Sequence, residues 1–371
     1  MVRRPSPRAR AAQWVLLLAV VAAAWYVGAN AAENLAARQM SVGFAFLGDT
    51  ANFDIPFKLI AWQDSDTYAR ALLVCTLNTL LVSGMAIVTA TLLGLLVGIM
   101  RLSANWLVRS IALVFVEMVR NTPMLVQIVF WYIAVLQTLP NPRQSIPLPG
   151  GLLLNIRGLY LPNLYARPYA GVLVLAALAL LVATPLVWRR AVRGRPLGAR
   201  ALALPVLAAL LLAGGVERVE FPAMRGFNIA GGTQLPPELA AVWAGLSIYG
   251  AAFIAEIVRA SILSVPKGQR EAALSLGLKP GQVMFRVVLP QALRVMVPPL
   301  TSQYLNIIKS SSLGAAVAYP ELFQIFAGTV LNQSGREIET IVILMAIFLC
   351  ISLLTSTFMN WYNRHVALVE R

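Results

Sequence analysis

Apolar runs too long for the core of a globular domain dominate this sequence. Trp14–Gly28, Ala71–Met100 and Thr340–Met359 are the clearest. A hydrocarbon layer about 30 Å thick is crossed by about 20 helical residues, so each run reads as a membrane span. The composition agrees, with 59% of the 371 residues apolar and 12% charged. A soluble domain carries about twice that share of charge. These features exclude a cytosolic enzyme, a nucleic-acid-binding domain and a disordered chain. A net charge of +15 on a soluble protein would point to an anionic partner. Here the arginines sit mostly between apolar runs, where they set orientation.

The expected fold class is an all-α membrane protein with about eight spans, at 13–30, 71–100, 107–138, 168–188, 201–216, 237–264, 296–332 and 338–361. The third carries Pro123, and the seventh carries Lys309 beside a serine run, so both are expected to break. With the N-terminus inside, 18 Lys and Arg fall in inward segments and 9 in outward ones. That bias places both termini in the cytoplasm. The first run also fits a signal peptide with Ala29-Asn30-Ala31 at its cleavage site, which would leave seven spans and the same C-terminal side. The outward segments 31–70 and 139–167 are rich in Pro, Asn and Gly and too short for a catalytic domain.

Catalytic and metal chemistry find no footing. Cys75 and Cys350 lie in apolar runs, and His365 stands alone in a charged tail, which gives no metal-ligand spacing. No P-loop is present, because none of Lys58, Lys267, Lys279 and Lys309 follows a glycine.

The most informative stretch is Ser264 to Pro299. Pro266 and Gly268 stop a span, Gln269 to Leu278 forms a helix, Pro280-Gly281 makes a turn, and Gln282 to Val288 forms a second short helix. Such a helix–turn–helix is a rigid protrusion suited to passing force to another protein. Glu271-Ala272-Ala273, then Gly277, then Val287 and Leu289-Pro290, resembles the signature loop of ABC-transporter importer permeases, with Val287 where the pattern has Ile. The resemblance implies that the loop docks on a separate ABC ATPase subunit, which binds ATP and Mg. This chain is then a transport subunit with no cofactor of its own.

Further stretches narrow the resemblance to polar-amino-acid permeases. They are Leu77-Asn78-Thr79-Leu80, Val119 to Gln127 (with Asn121 where many members have Gly), Tyr249 to Arg259, and Ile308-Lys309-Ser310-Ser311-Ser312-Leu313. Asn155 to Pro162 resembles the general L-amino-acid permeases of Gram-negative bacteria, which are longer and work as pairs of different permease chains. The implied organisation is an N-terminal helix and outward segment (1–70), a first core part (71–138) and an insertion with two extra spans (139–236). A second core part (237–361) holding the coupling loop 264–296 and a tail (362–371) complete it. The two core parts make a five-helix importer-type core. The implied partners are the ATPase, a second permease chain, a periplasmic amino-acid-binding protein and the lipid bilayer. The substrates are polar amino acids such as glutamate, glutamine and aspartate.

Ionisable side chains at membrane depth are candidates for the substrate path. Glu117 and Arg120, and Glu256 and Arg259, are spaced to pair on one helix face. Lys309 has no acid within one turn, and Asn78 is a weaker candidate that a buried interhelical hydrogen bond would also explain. Gly94-x-x-x-Gly98 marks a helix-packing face. An ion-driven secondary transporter would leave the loop unexplained. A permease for another solute, such as an opine, would keep the loop and change the residues along the path.

Overall fold

A computed structural model describes residues 7–37, 43–177, 179–180, 200–226 and 228–366. Five helices are long and apolar enough to cross a membrane, at Ala12–Asn30, Tyr68–Met100, Pro237–Leu263, Pro280–Val317 and Glu337–Arg364. A sixth crossing is available if the bent pair Trp106–Arg120 and Met124–Leu136 counts as one. The main helices are α1 (Pro7–Ala37), α2 (Tyr68–Met100), α3 (Trp106–Arg120), α4 (Met124–Val129), α5 (Arg200–Gly214) and α6 (Pro237–Leu263). They continue with α7 (Lys267–Ser275), α8 (Pro280–Val283), α9 (Leu289–Ser310), α10 (Leu331–Ser334) and α11 (Glu337–Val366).

Two expected spans fare differently. Residues 201–216 correspond to α5, described over Arg200–Gly214. Most of 168–188 lies outside the described residues.

Helix α6 is the centre of the bundle, and its sequence explains why. Ala241, Gly245, Ser247, Gly250, Ala251, Ala252 and Ala255 are all buried along it. In lipid there is no hydrophobic drive between helices, so small residues that let backbones approach supply the packing. Helix α2 lies parallel to α6. Thr89 Oγ1 meets Ser247 Oγ at 2.5 Å and accepts Trp243 Nε1–H at 3.1 Å. A Cβ on Gly94 would sit 2.6 Å from Ile254 Cβ, and one on Gly98 would sit 2.8 Å from the Ala255 carbonyl oxygen. The Gly94–Gly98 face is therefore the α2–α6 contact.

Both expected breaks are present. Helices α3 and α4 meet at 103° across Asn121-Thr122-Pro123. Gln127 Nε2 donates to the carbonyls of Val119 (2.9 Å) and Thr122 (3.1 Å) and so ties the two arms of the bend together. Helix α9 ends at Ser310 and tightens to a 3₁₀ turn over Ser311–Val317. Ala318 takes a left-handed conformation, and a π-helical segment Gln324–Val330 leads into α10. The continuous apolar stretch is therefore Pro280–Val317, not 296–332, and residues 324–334 form a separate piece after a break. That piece ends beside the start of α2, where Tyr68 Oη bonds Gln333 Oε1 at 3.3 Å.

The 139–236 insertion departs from the all-helical expectation, because its described residues hold eight short strands. Strands β1 (Ile146–Leu148), β2 (Leu152–Asn155), β3 (Gly158–Leu161) and β8 (Thr233–Leu235) form an antiparallel sheet in that order. Strand β4 (Asn163–Ala166) pairs with β5 (Val216–Glu220), and β6 (Ala223–Arg225) with β7 (Asn228–Ala230). Each strand is five residues or fewer, too short for a two-residue alternation to stand out. The β4–β5 pair ties together the two chain segments that flank α5 and the residues preceding it.

Candidate coupling loop and charge cluster

The loop after α6 begins at Pro266, which ends one helix and leads directly into α7. Helix α7 closes with a Schellman turn. Leu278 N–H donates to Ala273 O (3.2 Å), and Gly277 N–H donates to Leu274 O (2.9 Å). Gly277 has φ +78 with nothing near its missing Cβ. Glycine is needed there for backbone conformation and not for space. Ala273 is buried in the bundle core, whereas Glu271 and Ala272 are exposed. One face of α7 thus anchors the loop and the other is presented outward.

The turn lies at Leu276–Lys279, not at Pro280-Gly281. Pro280 opens α8, where its missing N–H would be unbonded in any case. Gln282 Oε1 accepts Lys279 N–H at 3.0 Å and caps the start. The second helix does not stop before Pro290 either. It passes through a π-helical turn, Met284–Val288, straight into α9. Pro290 cannot donate to the carbonyl of Arg286, and a widened turn just before it absorbs the missing bond. Gln291 Nε2 covers the neighbouring Val287 carbonyl at 2.9 Å. Leu289-Pro290 is therefore the joint between the loop and a bundle helix. Val283, Val288 and Ala292 are buried on its inner side. Leu276 (83% exposed) and Phe285 (71%) stand outward.

Two turns before the end of α6, Glu256 holds two guanidinium groups. Arg259 Nη2 lies 2.5 Å from Glu256 Oε1, as the i, i+3 spacing predicts. Arg101, at the end of α2, bonds the other carboxylate oxygen with its side chain only 12% exposed. The sequence reading missed Arg101 and took it for a loop charge. The glycines of the α2 face, seven and three residues before it, set the α2–α6 register that delivers it to Glu256, and that register exists only once the two helices pack. Arg120 stacks over Phe253 with its guanidinium carbon 5.2 Å from the ring centre. Glu117 and Arg120 do not pair, contrary to their spacing. Both are exposed on α3, and Arg120 is drawn to the α6 ring instead.

The remaining candidates separate. Asn78 is fully buried, and its Nδ2 donates to the carbonyls of Phe57 and Pro320, both at 2.8 Å. Thr79 Oγ1 accepts Leu322 N–H at 3.0 Å, and Tyr319 Oη donates to the Asn78 carbonyl at 3.0 Å. Glu321, buried, accepts the N–H groups of Phe323 (2.8 Å) and Gln324 (2.6 Å). Together these side chains satisfy the backbone freed by the break at 311–323. Asn78 therefore serves the fold. Ser311 and Ser312 bond back to Ile308 and Lys309 carbonyls at 2.7 and 2.9 Å. Lys309 is exposed and has no ion-pair partner among the described residues.

Residues 90–368 match the family described as "Binding-protein-dependent transport system inner membrane component". The chain belongs to that family. It is accordingly a transport subunit of the multi-pass membrane type, whose family implies an ATPase and a binding protein as partners. YhdX of Escherichia coli (strain K12), provisionally named an amino-acid ABC transporter permease protein, is 46% identical over 99% of this chain and 96% of its own. The general L-amino acid transport system permease protein AapQ of Rhizobium johnstonii is 44% identical over 97% of this chain and 92% of its own. The glutamate/glutamine/aspartate/asparagine transport system permease protein BztB of Rhodobacter capsulatus is 38% identical over 96% and 93%. The bundle superimposes on a crystal structure of an amino acid ABC transporter with histidines. The TM-score is 0.50 at 19% identity, over 80% of this chain and 95% of that one.

Proposed function

We propose that the chain is one of two different permease subunits of an ATP-driven importer for L-amino acids. Its substrate range is broad and polar, including glutamate, glutamine and aspartate. The ATPase subunit binds ATP and Mg. Its closure pushes on Glu271 and the outward face of α7, and the Leu289-Pro290 joint carries the motion into α9. The Glu256 cluster ties the root of the loop to α2, so the two sides of the bundle move together. A loaded binding protein delivers substrate at the opposite, periplasmic end, and both termini face the cytoplasm.

The observation that carries this reading is the loop itself. It is buried at Ala273 and Val283, rigid at the Schellman turn, and exposes an acid and apolar side chains where a partner would dock. The names of AapQ and BztB support the substrate class. The second permease chain is supported by the apolar side chains that α3 and α4 leave exposed, among them Ile111, Met118 and Val126.

The test is uptake of labelled L-amino acids by proteoliposomes holding the complete transporter and its binding protein. ATP trapped inside should drive uptake, and ionophores that collapse ion gradients should leave it unchanged. Uptake driven by an ion gradient without ATP would overturn the reading.

A further inference from the structure

A cavity of about 470 Å³ opens at the Pro237 end of the bundle, remote from the loop. That is within the range of small-molecule sites, roughly 300–1,000 Å³. Its walls come from both the insertion and the core. Arg157 and Gln234 belong to the insertion, Gln137 follows the π-helical segment Phe130–Leu136 that continues α4, Glu238 begins α6, and Phe57 precedes α2.

The two charges are held in place but not used up. Arg157 is fixed by its backbone, whose N–H bonds Asn155 Oδ1 (2.8 Å) and whose carbonyl accepts Gln234 Nε2 (2.6 Å). Its Nη1 donates to Asn228 Oδ1 at 2.9 Å, and its Nε and Nη2 have no hydrogen-bond partner among the described residues. Glu238 Oε1 accepts from Tyr132 Oη at 3.0 Å, and Oε2 has no partner among the described residues. No ion pair joins Arg157 to Glu238. A cation and an anion share one cavity without neutralising each other. Phe57 connects the cavity to the broken span, because its carbonyl is bound by Asn78 and its ring lies 6.2 Å from that of Tyr319.

The geometry points to an entry site for a free, zwitterionic amino acid. The remaining guanidinium N–H groups of Arg157 receive the α-carboxylate. Glu238 Oε2 receives the α-ammonium, and the cavity leaves room for the side chain. The insertion then supplies the half of the site that recognises the anion. This inference rests on the amino-acid reading above.

The experiment is equilibrium binding of tritiated L-glutamine to the complete transporter in nanodiscs, without the binding protein. ATP-driven uptake by the same preparation is measured with the binding protein present. Arg157→Gln should weaken binding about tenfold or more, the loss expected for a charge-assisted contact. Arg157→Lys should recover part of it. Glu238→Gln, which keeps an acceptor for Tyr132, should weaken binding similarly and is the second variant if Arg157→Gln disturbs the sheet. Glutamine analogues lacking either the carboxylate or the amine should fail to compete. Unchanged binding in both charge-removing variants, or no binding while uptake of L-amino acids persists, would overturn the site alone. A wild-type transporter that takes up no L-amino acid would overturn the substrate reading as well.

Discussion

Gly277 and Glu256 show how single side chains shape the loop and its root. Gly277 sits at φ +78 in open space, so Gly277→Ala should lower stability by about 1–2 kcal/mol through backbone strain alone. Gly281 also has open space around it, at an ordinary helical angle, so Gly281→Ala should be neutral or slightly stabilising. Thermal unfolding of the purified complex compares the two. Glu256→Gln leaves Arg101 and Arg259 without their acid. It should cost about 1–3 kcal/mol, the cost of a poorly satisfied polar group. The double exchange Arg101→Glu with Glu256→Arg keeps one carboxylate between two guanidinium groups and should recover part of the loss in the same assay. Glu256 and Arg259 were legible as a pair because both lie on one helix. Arg101 was not, because its partner is 155 residues away and only the packing of two helices brings it near. Glu117 failed for the matching reason: an aromatic ring on a neighbouring helix outcompetes a spacing rule.

Among the elements, α2 and α6 depend on close approach. Gly94→Val would drive a side chain into Ile254 and the Ala251 carbonyl. The expected cost is about 1–3 kcal/mol of overpacking, visible as a lower melting temperature and a poorer yield of assembled complex. Gly84 on the same helix has nothing within 4 Å of a built Cβ, and Gly84→Ala should be tolerated. The broken seventh span was legible in kind and not in extent. The serine run marked where α9 stops. The buried acceptors that hold the break, Thr79 and Glu321, come from α2 and from beyond Pro320, and no local pattern announces them. The loop was read as two helices with a turn at Pro280-Gly281. The structure moves the turn to Gly277, because proline suits the first position of a helix and glycine its left-handed end.

For the whole molecule, the apolar runs and the loop pattern were enough to indicate a helical permease. The strands were not visible, because each is short and two of the pairings, β3 with β8 and β4 with β5, join segments far apart in the chain. Strand β3 pairs with β8 across the whole insertion. On the proposed function, the loop between α6 and α9 is where this chain meets its ATPase. The most direct measurement is co-purification under mild detergent, with mass spectrometry of the associated chains, for the wild type and for Leu276→Asp. Leu276 is 83% exposed and supports no packing of its own, so the variant should fold normally. The wild type is predicted to retain a P-loop ATPase and a second loop-bearing permease. The variant should keep the second permease and lose at least about tenfold in ATPase recovery, as an apolar docking contact becomes a desolvated charge. Equal ATPase recovery with Asp at this position, or a wild-type chain recovered alone from membranes that preserve other transporters, would contradict the account.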